Sequence, residues 1–479
     1  MEKLAINQLS SHGNQVIIAW DASRGLDGVF EKEKLIINFE SEIYFDLNVA
    51  VFIFFNVVVP CYHHTCLNVE KIEVCLPESV SNNMIQFLLE YHDLNRVECI
   101  FSSSLSQEFK LSSHIEYSTD STDSYALFYG GGKDSLLSAA VLQDAYGASN
   151  VTLLRLVWDQ DENNFQKKRE IIDEPMQFML NKGFKIEYVE SNFHSIVKDR
   201  SIGKIPNIAL YPGLMAPLIA KRKFEQLSHG YDVAHFHEPI NVKRSVPFKL
   251  VRPENLKILQ FALTELVGSK VSFRNINYGF NAGVAFKFLA KSYSEYLPNI
   301  YMCERLSGKW CIKCRKCFLY ALSCLAYKVD ADFNLGYFFQ NSSYIKELMK
   351  DVDEAYSEGF DQINYVYKFA YPTHLCSTVQ ISHDIDLNYA RKILWHKKYP
   401  DAFVNLIKII EPFKNFSFTD YDAFWLRAFE KDLQEFGGDD NHTLLDLLKS
   451  RLSEASIPIS EKFVFTGYNR NNLVSYDFS

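Results

Sequence analysis

The chain has 479 residues, 47% hydrophobic and 15% aromatic, and its 50 Lys or Arg against 59 Asp or Glu leave a net charge of −9. That length accommodates two to four domains of about 150 residues each. The negative balance excludes a chain-wide grip on nucleic acid or another polyanion, so direct nucleic-acid binding is not expected. Charge is uneven, however: residues 240–316 hold 14 Lys or Arg against 4 Asp or Glu. Such a belt fits either a local anionic ligand such as nucleotide phosphates or a solvated face. Residues Met1 to Asn7 show no signal-peptide or lipidation pattern. The most apolar run, Leu47 to Cys61, is interrupted by Asn48 and Asn56 and closed by Pro60. It falls short of the ~20 residues a spanning helix needs, so no membrane segment is expected. Ten cysteines without a secretion signal point to a reducing cytoplasm, where clustered thiols more often bind metal than pair.

Residues 1–122 read as a separate β-rich domain. Val16 to Trp20, Lys34 to Phe39, Ile43 to Val59 and Lys71 to Leu76 are strand-like, and Met84 to Tyr91 reads as a short helix. His63 and His64, with Cys61 and Cys66, have no common metal-site spacing and read as loop or core. Ser102 to Asp123, rich in Ser, Thr and Asp, reads as a linker or loop.

The pattern then changes at Ala126-Leu-Phe-Tyr-Gly-Gly-Gly-Lys-Asp-Ser135. Ala126 to Tyr129 is a short apolar strand. Gly130, Gly131 and Gly132 form a turn, and Lys133, Asp134 and Ser135 follow. The apolar-rich run Leu136 to Leu142 has helical spacing, with Gly147 where a helix C-terminal glycine would sit. Strand, glycine turn and helix start bring free backbone N–H groups and the positive helix end to one point, which attracts phosphate. Lys133 adds charge there, and the Ser135 hydroxyl caps the helix or donates to a phosphate oxygen. Asp134 is a Mg²⁺ ligand or a helix cap. The stretch is not a Walker A loop, because Leu127 and Asp134 stand where that pattern needs Gly and Ser or Thr. A plain tight turn is the competing reading.

Beyond it, strands alternate with helices: Val151 to Val157, a charged amphipathic stretch Phe165 to Leu180, Lys185 to Val189, Tyr211 to Ala220, Val233 to His237, a helix from Pro253 to Val267, and Val271 to Ile276. Alternation of this kind predicts a doubly wound parallel sheet with right-handed crossovers over residues 123–330. Ligands in such sheets bind at the carboxyl ends of the strands, where the glycine turn falls. Trp158, closing the second strand, reads as a neighbour of adenine and ribose or as core. Lys243, Arg244 and Lys309 are weaker candidates for phosphate contacts.

A second motif is Cys303-x7-Cys311-x2-Cys314-x2-Cys317. Four thiolates so spaced close a tetrahedron around Zn²⁺ and leave no position open for water, which makes the metal structural. Free thiols or a redox pair are the alternatives.

Together these motifs carry a resemblance. Gly130 to Ser135 resembles the Ser-Gly-Gly-x-Asp-Ser pyrophosphate loop (PP-loop) of the N-type ATP pyrophosphatases, with Gly130 in place of the first Ser. With the four cysteines following, residues 123–330 look like the 7-cyano-7-deazaguanine synthase (QueC) family. Tyr211-Pro212-Gly213 is similar to that family's Val-Pro-Gly-Arg-Asn, with Leu214 and Met215 replacing the last pair. The family's Ser-Gly-Tyr-Pro-Asp-Cys-Arg stretch has no counterpart after His235 to Glu238. The length of the flanks is similar to that of larger QueC-like proteins of bacterial antiphage defence operons. The resemblance implies an α/β PP-loop fold, ATP with Mg²⁺, structural Zn²⁺ and a deazapurine-type or other carboxylate substrate. It implies adenylation with release of pyrophosphate, then amide formation with ammonia or the amine of an acceptor protein. Gly130, Gly131, Gly132, Lys133, Ser135, Trp158, Tyr211 and Gly213 would contact the ligands, and Lys133, Asp134 and Ser135 would serve the reaction. Gly-Gly-Gly-Lys-Asp-Ser and Trp310-Cys-x2-Cys-x-Lys316-Cys also resemble MurL, an epimerase acting on a UDP-muramoyl dipeptide. A scaffold that binds nucleotide without catalysis is a third reading.

Residues 331–479 read as mostly helical, over Ser343 to Tyr356, Asn388 to Tyr399, Ala402 to Ile410, Ala423 to Phe436 and Leu444 to Ala455. Prolines and Gly437-Gly438 punctuate them, and the polar Asn469 to Asn472 is expected to be mobile. The pattern contains no catalytic constellation there and is compatible with an oligomer.

Overall fold

A computed structural model describes residues 1–102, 125–158, 174–198, 207–230, 253–277, 282–303, 309–357, 385, 387–394, 399–410, 441–454, 465–469 and 472–476. Its spine is a ten-stranded sheet in the order β10-β9-β6-β7-β8-β3-β2-β1-β4-β5. Five strands form a parallel half: β6 (Tyr125–Phe128), β7 (Val151–Trp158), β8 (Lys185–Ser191), β9 (Gln226–His229) and β10 (Ser272–Asn275). In chain order the strands run from β6 through β7 to β8, then return to the other side of β6 as β9 and β10. The switch point therefore lies between β6 and β9. Helices cover both faces. Lys133–Tyr146 and Ala282–Ser292 pack into one core, while Ala216–Arg222 and Pro253–Val267 pack into the other. The α/β class expected for residues 123–330 is present.

The N-terminal strands are not a sheet of their own. β1 (Glu2–His12), β2 (Gln15–Ala22) and β3 (Lys34–Phe39) form an antiparallel meander, and β3 pairs antiparallel with β8, Phe39 opposite Val189. β4 (Ile72–Pro77) and β5 (Val97–Ser102) extend the far edge in parallel. One buried cluster runs from Leu4 and Trp20 through Phe128 and Leu154 to Phe273, so the 122/123 boundary does not divide the core.

The strand expected within Ile43 to Val59 is instead helical over Leu47–Thr65. Asp46 caps its start by accepting the Val49 N–H at 2.8 Å. Nearly every side chain from Val49 to Tyr62 is buried, so the helix is apolar all round and its β-branched residues pack on every side. By length and composition alone it could cross a membrane, yet 83% of its apolar window is buried inside the protein. Pro60 offers no N–H to the Asn56 carbonyl, and Phe54–Val58 widens to a π turn in which the Val59 N–H bonds to the Phe54 carbonyl. Gly213, in the helix Asn207–Leu214, fits against this turn: a Cβ there would stand 2.7 Å from Asn56 Cβ and 2.9 Å from Val57 Cγ2. Its place is a close helix contact.

Asn56 Nδ2 donates to the Phe52 carbonyl at 2.9 Å, which leaves its Oδ1 as acceptor for His92 Nε2 at 3.0 Å. The buried His92 ring is thereby neutral with its proton on Nε2. Burial, then the neighbouring His64 and His63, hold its pKa down at about 3.

In the C-terminal region, helices Ser343–Ser357, Leu387–Leu394, Pro400–Ile410 and Asn441–Glu454 match four expected segments. The segment Ala423 to Phe436 lies outside the described residues. β11 (Phe465–Asn469) and β12 (Asn472–Tyr476) form an antiparallel pair with Asn469 opposite Asn472, and residues 470–471 of the segment expected to be mobile lie outside the described residues.

Two outcomes follow from this packing. Gly213→Ala should cost roughly 1–3 kcal/mol through the clash with Asn56 and Val57, read from chemical denaturation midpoints. His92 is protonated more readily unfolded than folded, so its contribution is full above pH 6.5 and is lost as pH falls toward about 3. Stability should fall by up to ~1.4 kcal/mol per pH unit across that window, and His92→Gln should flatten the slope in denaturation series taken at several pH values.

Candidate phosphate loop and cysteine cluster

β6 runs between β7 and β9 and ends at Phe128; the Tyr129 N–H still bonds to the Leu154 carbonyl of β7 at 2.9 Å. The chain then turns through Gly130, Gly131 and Gly132 at the carboxyl edge of the sheet. Gly131 has φ +80°, a conformation costly for any residue with a Cβ. Gly132 is extended and caps Lys133–Tyr146, accepting the Leu136 N–H at 3.0 Å. The apolar helix behind it is buried from Leu136 to Leu142 and stops at Gly147, φ +82°, whose N–H bonds to the Gln143 carbonyl at 2.8 Å.

The structure brings Lys133, Asp134 and Ser135 together on the first turn of this helix. Lys133 Nζ, 5% exposed, is paired with Asp134 Oδ1, and Asp134 is 24% exposed. Ser135 Oγ donates to the Gly132 carbonyl at 3.1 Å. Two further ties come from the other side of the switch point. Asn277, just beyond β10, donates from Nδ2 to the Asp134 carbonyl at 2.7 Å, and its Oδ1 accepts from Ser138 Oγ at 3.2 Å. Gly230, just beyond β9, lets the chain lie against the helix, where a Cβ would be 2.6 Å from Ser138 Oγ and 2.8 Å from the Asp134 carbonyl oxygen.

Other predicted residues are placed differently. Tyr211 is buried at the foot of the loop, its ring stacked 5.8 Å from His229 and 6.0 Å from Phe128. Burial pushes its phenol pKa up, and the Arg155 charge opposes the shift. Gly213 packs against the π turn, as described above. Trp158 ends β7 opposite Ser191 of β8. Lys309 is not a spare cation: it bonds to the Pro298 carbonyl and pairs with Asp332 at 3.0 Å. Lys243, Arg244 and the predicted strand Val233 to His237 lie outside the described residues. The strand beside β6 is Gln226–His229, whose polar Gln-Leu-Ser-His sequence gives no apolar signal. His229, Asn277 and Arg155 of β7 went unremarked in the sequence. In Arg155 the available signal was a single charge inside an apolar strand.

The four cysteines converge. The Sγ atoms of Cys303, Cys311, Cys314 and Cys317 all lie within 4.8 Å of one another. Cys311 and Cys317 are 3.8 Å apart, and Cys314 and Cys317 are 3.6 Å apart. Thiolates held ~2.3 Å from Zn²⁺ in a tetrahedron are about 3.8 Å apart, so the donor set fits a metal such as zinc. Helix Arg315–Tyr327 begins directly after Cys314 and puts Cys317 in its first turn, while Ile312 takes φ +57° to close the turn between Cys311 and Cys314. The Cys311 N–H points at Cys303 Sγ, 3.3 Å away, and the Lys313 N–H at Cys311 Sγ, 3.4 Å away. In the bare cluster a bond with the Cys314 thiol, followed by burial, pushes the Cys317 pKa up. A dication reverses that, because it favours all four thiolates.

Loop and cluster are joined: the Tyr301 N–H donates to the Gly131 carbonyl at 2.8 Å, two residues before Cys303. Burial, then nearby Cys303, pushes the Tyr301 pKa up to about 12, and the Arg155 charge works against them.

Compared with known proteins, the chain matches no family model and no curated protein.

Wild-type protein should contain about one zinc per chain by elemental analysis. Cys314→Ser should lower that content at least tenfold, and hydrogen exchange at the Tyr301 amide should quicken in the metal-depleted protein.

Proposed function

We propose that the chain is an ATP-dependent carboxylate-adenylating ligase of the QueC-like kind. The observation that carries this reading is the position of the glycine loop: it follows β6, the strand at which the parallel order reverses, where sheets of this kind bind their ligands. Backbone N–H groups at a helix start, with no Cβ in the way, favour phosphate oxygens there. The cysteine cluster bonded to the loop supports the same reading, because a structural zinc would hold a phosphate cradle in place without taking part in the chemistry.

Carboxylates do not condense with amines at neutral pH, since oxide would have to leave. In the proposed reaction a carboxylate oxygen attacks the α-phosphorus, the bond to the bridging oxygen breaks, and pyrophosphate departs with that electron pair. An amine nitrogen then attacks the acyl carbon, AMP leaves from it, and the nitrogen loses a proton as the amide forms. The residues of this chain have mainly electrostatic work in the first step. N–H groups of residues 131–135 would face the β- and γ-phosphates. The Ser135 hydroxyl, turned to the Gly132 carbonyl, can rotate to donate to phosphate instead. Lys133 would shift its ion pair from Asp134 toward the phosphates, which frees the carboxylate for a Mg²⁺ that accompanies ATP. Substrate would be a deazapurine-type carboxylate, and the acceptor ammonia or a protein amine in a reducing cytoplasm.

Incubation with ATP and 7-carboxy-7-deazaguanine should yield AMP and pyrophosphate. AMP formed only with the UDP-muramoyl dipeptide would favour the epimerase reading, and ATP binding without turnover under any carboxylate would favour the scaffold. Ser135→Ala and Asp134→Ala should each lower AMP formation at least a hundredfold, a loss of ~3 kcal/mol in the transition state, with zinc content unchanged. Full turnover in either variant refutes the assignment of the loop.

A further inference from the structure

Arg155 is the only charged residue of the strand Val151–Trp158. It is 8% exposed, and among the described residues it has no carboxylate partner. Its Nη1 donates to the Tyr129 carbonyl at 3.1 Å, and its Nε–H has no acceptor among the described residues. Buried guanidinium groups are almost always paired, because taking the charge out of water costs several kcal/mol unless an opposite charge or a full set of acceptors offsets it. One carbonyl does not meet that requirement.

The same spot holds a second orphan. The Tyr301 hydroxyl is buried without a hydrogen-bond partner among the described residues. Arg155 and Tyr301 close on the loop together: from the position a Cβ would take on Gly131, Arg155 Nη1 is 3.9 Å away and Tyr301 Cβ 3.8 Å. Among the described residues, a cation without a counter-ion and a tyrosine whose hydroxyl lacks an acceptor thus both flank the glycine turn, and an anionic oxygen would answer either need.

We propose that Arg155 and Tyr301 form an oxyanion pocket beside Gly131 that takes a phosphoryl oxygen of ATP or of departing pyrophosphate. The inference rests on the reading of the glycine loop as a phosphate cradle and adds to it the fixed positive charge that Lys133, paired with Asp134, does not supply by itself. As the bridging P–O bond breaks and its electron pair moves to pyrophosphate, the guanidinium keeps its proton. It donates its Nε–H to the oxygen on which charge accumulates, and the tyrosine donates its O–H. Because both groups are already desolvated, the anion meets donors that need no reorganisation.

The test is calorimetric titration of inorganic pyrophosphate, and separately of ATP, into the full-length chain and its Arg155→Met, Arg155→Lys, Tyr301→Phe and Ser135→Ala variants, with melting temperatures recorded without ligand. Arg155→Met should weaken pyrophosphate at least tenfold, Tyr301→Phe several-fold, and Arg155→Lys by an intermediate factor. Ligand-free Arg155→Met should melt no lower than wild type, because it removes a buried charge that lacks a partner. If wild type binds pyrophosphate and both Arg155→Met and Tyr301→Phe bind it equally well, the pocket is refuted while the loop stands, and Ser135→Ala still shows its loss. If Arg155→Met melts well below wild type and Tyr301→Phe binds normally, Arg155 is only a prop for the Tyr129 carbonyl and the proposal fails. If wild type binds neither ATP nor pyrophosphate, the cradle and the pocket fall together.

Discussion

One hydrogen bond ties the candidate site to its support: the Tyr301 N–H reaching the Gly131 carbonyl. Gly131 lies in the left-handed region, so its carbonyl is turned away from the helix it precedes and needs a donor from elsewhere. The donor comes from the short stretch between the 3₁₀ turn Ser294–Asn299, with Ile300 fully buried, and Cys303, whose sulfur lies among three others. Packing on one side and the sulfur cluster on the other together place residue 301 against the turn. A bond of this kind contributes only ~1 kcal/mol net. Its importance is geometric, since a cradle of N–H groups has to hold its spacing to within a fraction of an ångström to favour phosphate.

The opposite flank is held by different means. Asn277 bonds the Asp134 carbonyl, and Gly230 brings the chain beyond β9 within van der Waals reach of Ser138. The first turn of the helix is thus gripped from the β9–β10 side while the glycines are gripped from the cysteine side. Both grips are made of backbone and short polar groups. Such an arrangement suits a ligand whose recognition is mostly by main-chain amides.

Much of this was legible in the residues. Ala126 to Gly147 spells strand, turn and helix because each local preference agrees with the tertiary role: apolar run, glycines, helical periodicity, terminal glycine. The cysteine spacing carried its own geometry in the same way. What was not legible depended on partners distant in sequence. Leu47–Thr65 is rich in Val, Ile and Phe and looks like strand, yet it is helical because it is enclosed on all sides, where burial outweighs propensity. Gln226–His229 has no strand signature, because a four-residue strand paired on both sides is specified by its neighbours. Gly213 belonged to a motif in the sequence but serves a helix contact that only the π turn at Asn56 explains. Arg155 looked incidental until its burial without a counter-ion among the described residues could be seen.

The antiparallel seam between β3 and β8 has a bearing on how the chain reaches this state. Phe39 and Val189 are partners across a gap of some 150 residues of sequence. During synthesis the meander β1-β2-β3 emerges early with one ladder of amide groups unmatched, and the strand that completes it arrives only after the glycine turn and its helix have been made. The early segment must therefore wait with a bare edge, a state that invites pairing with the wrong strand. Pairing across so long a gap slows closure of the sheet, and β9 and β10, on the other side of β6, are made later still.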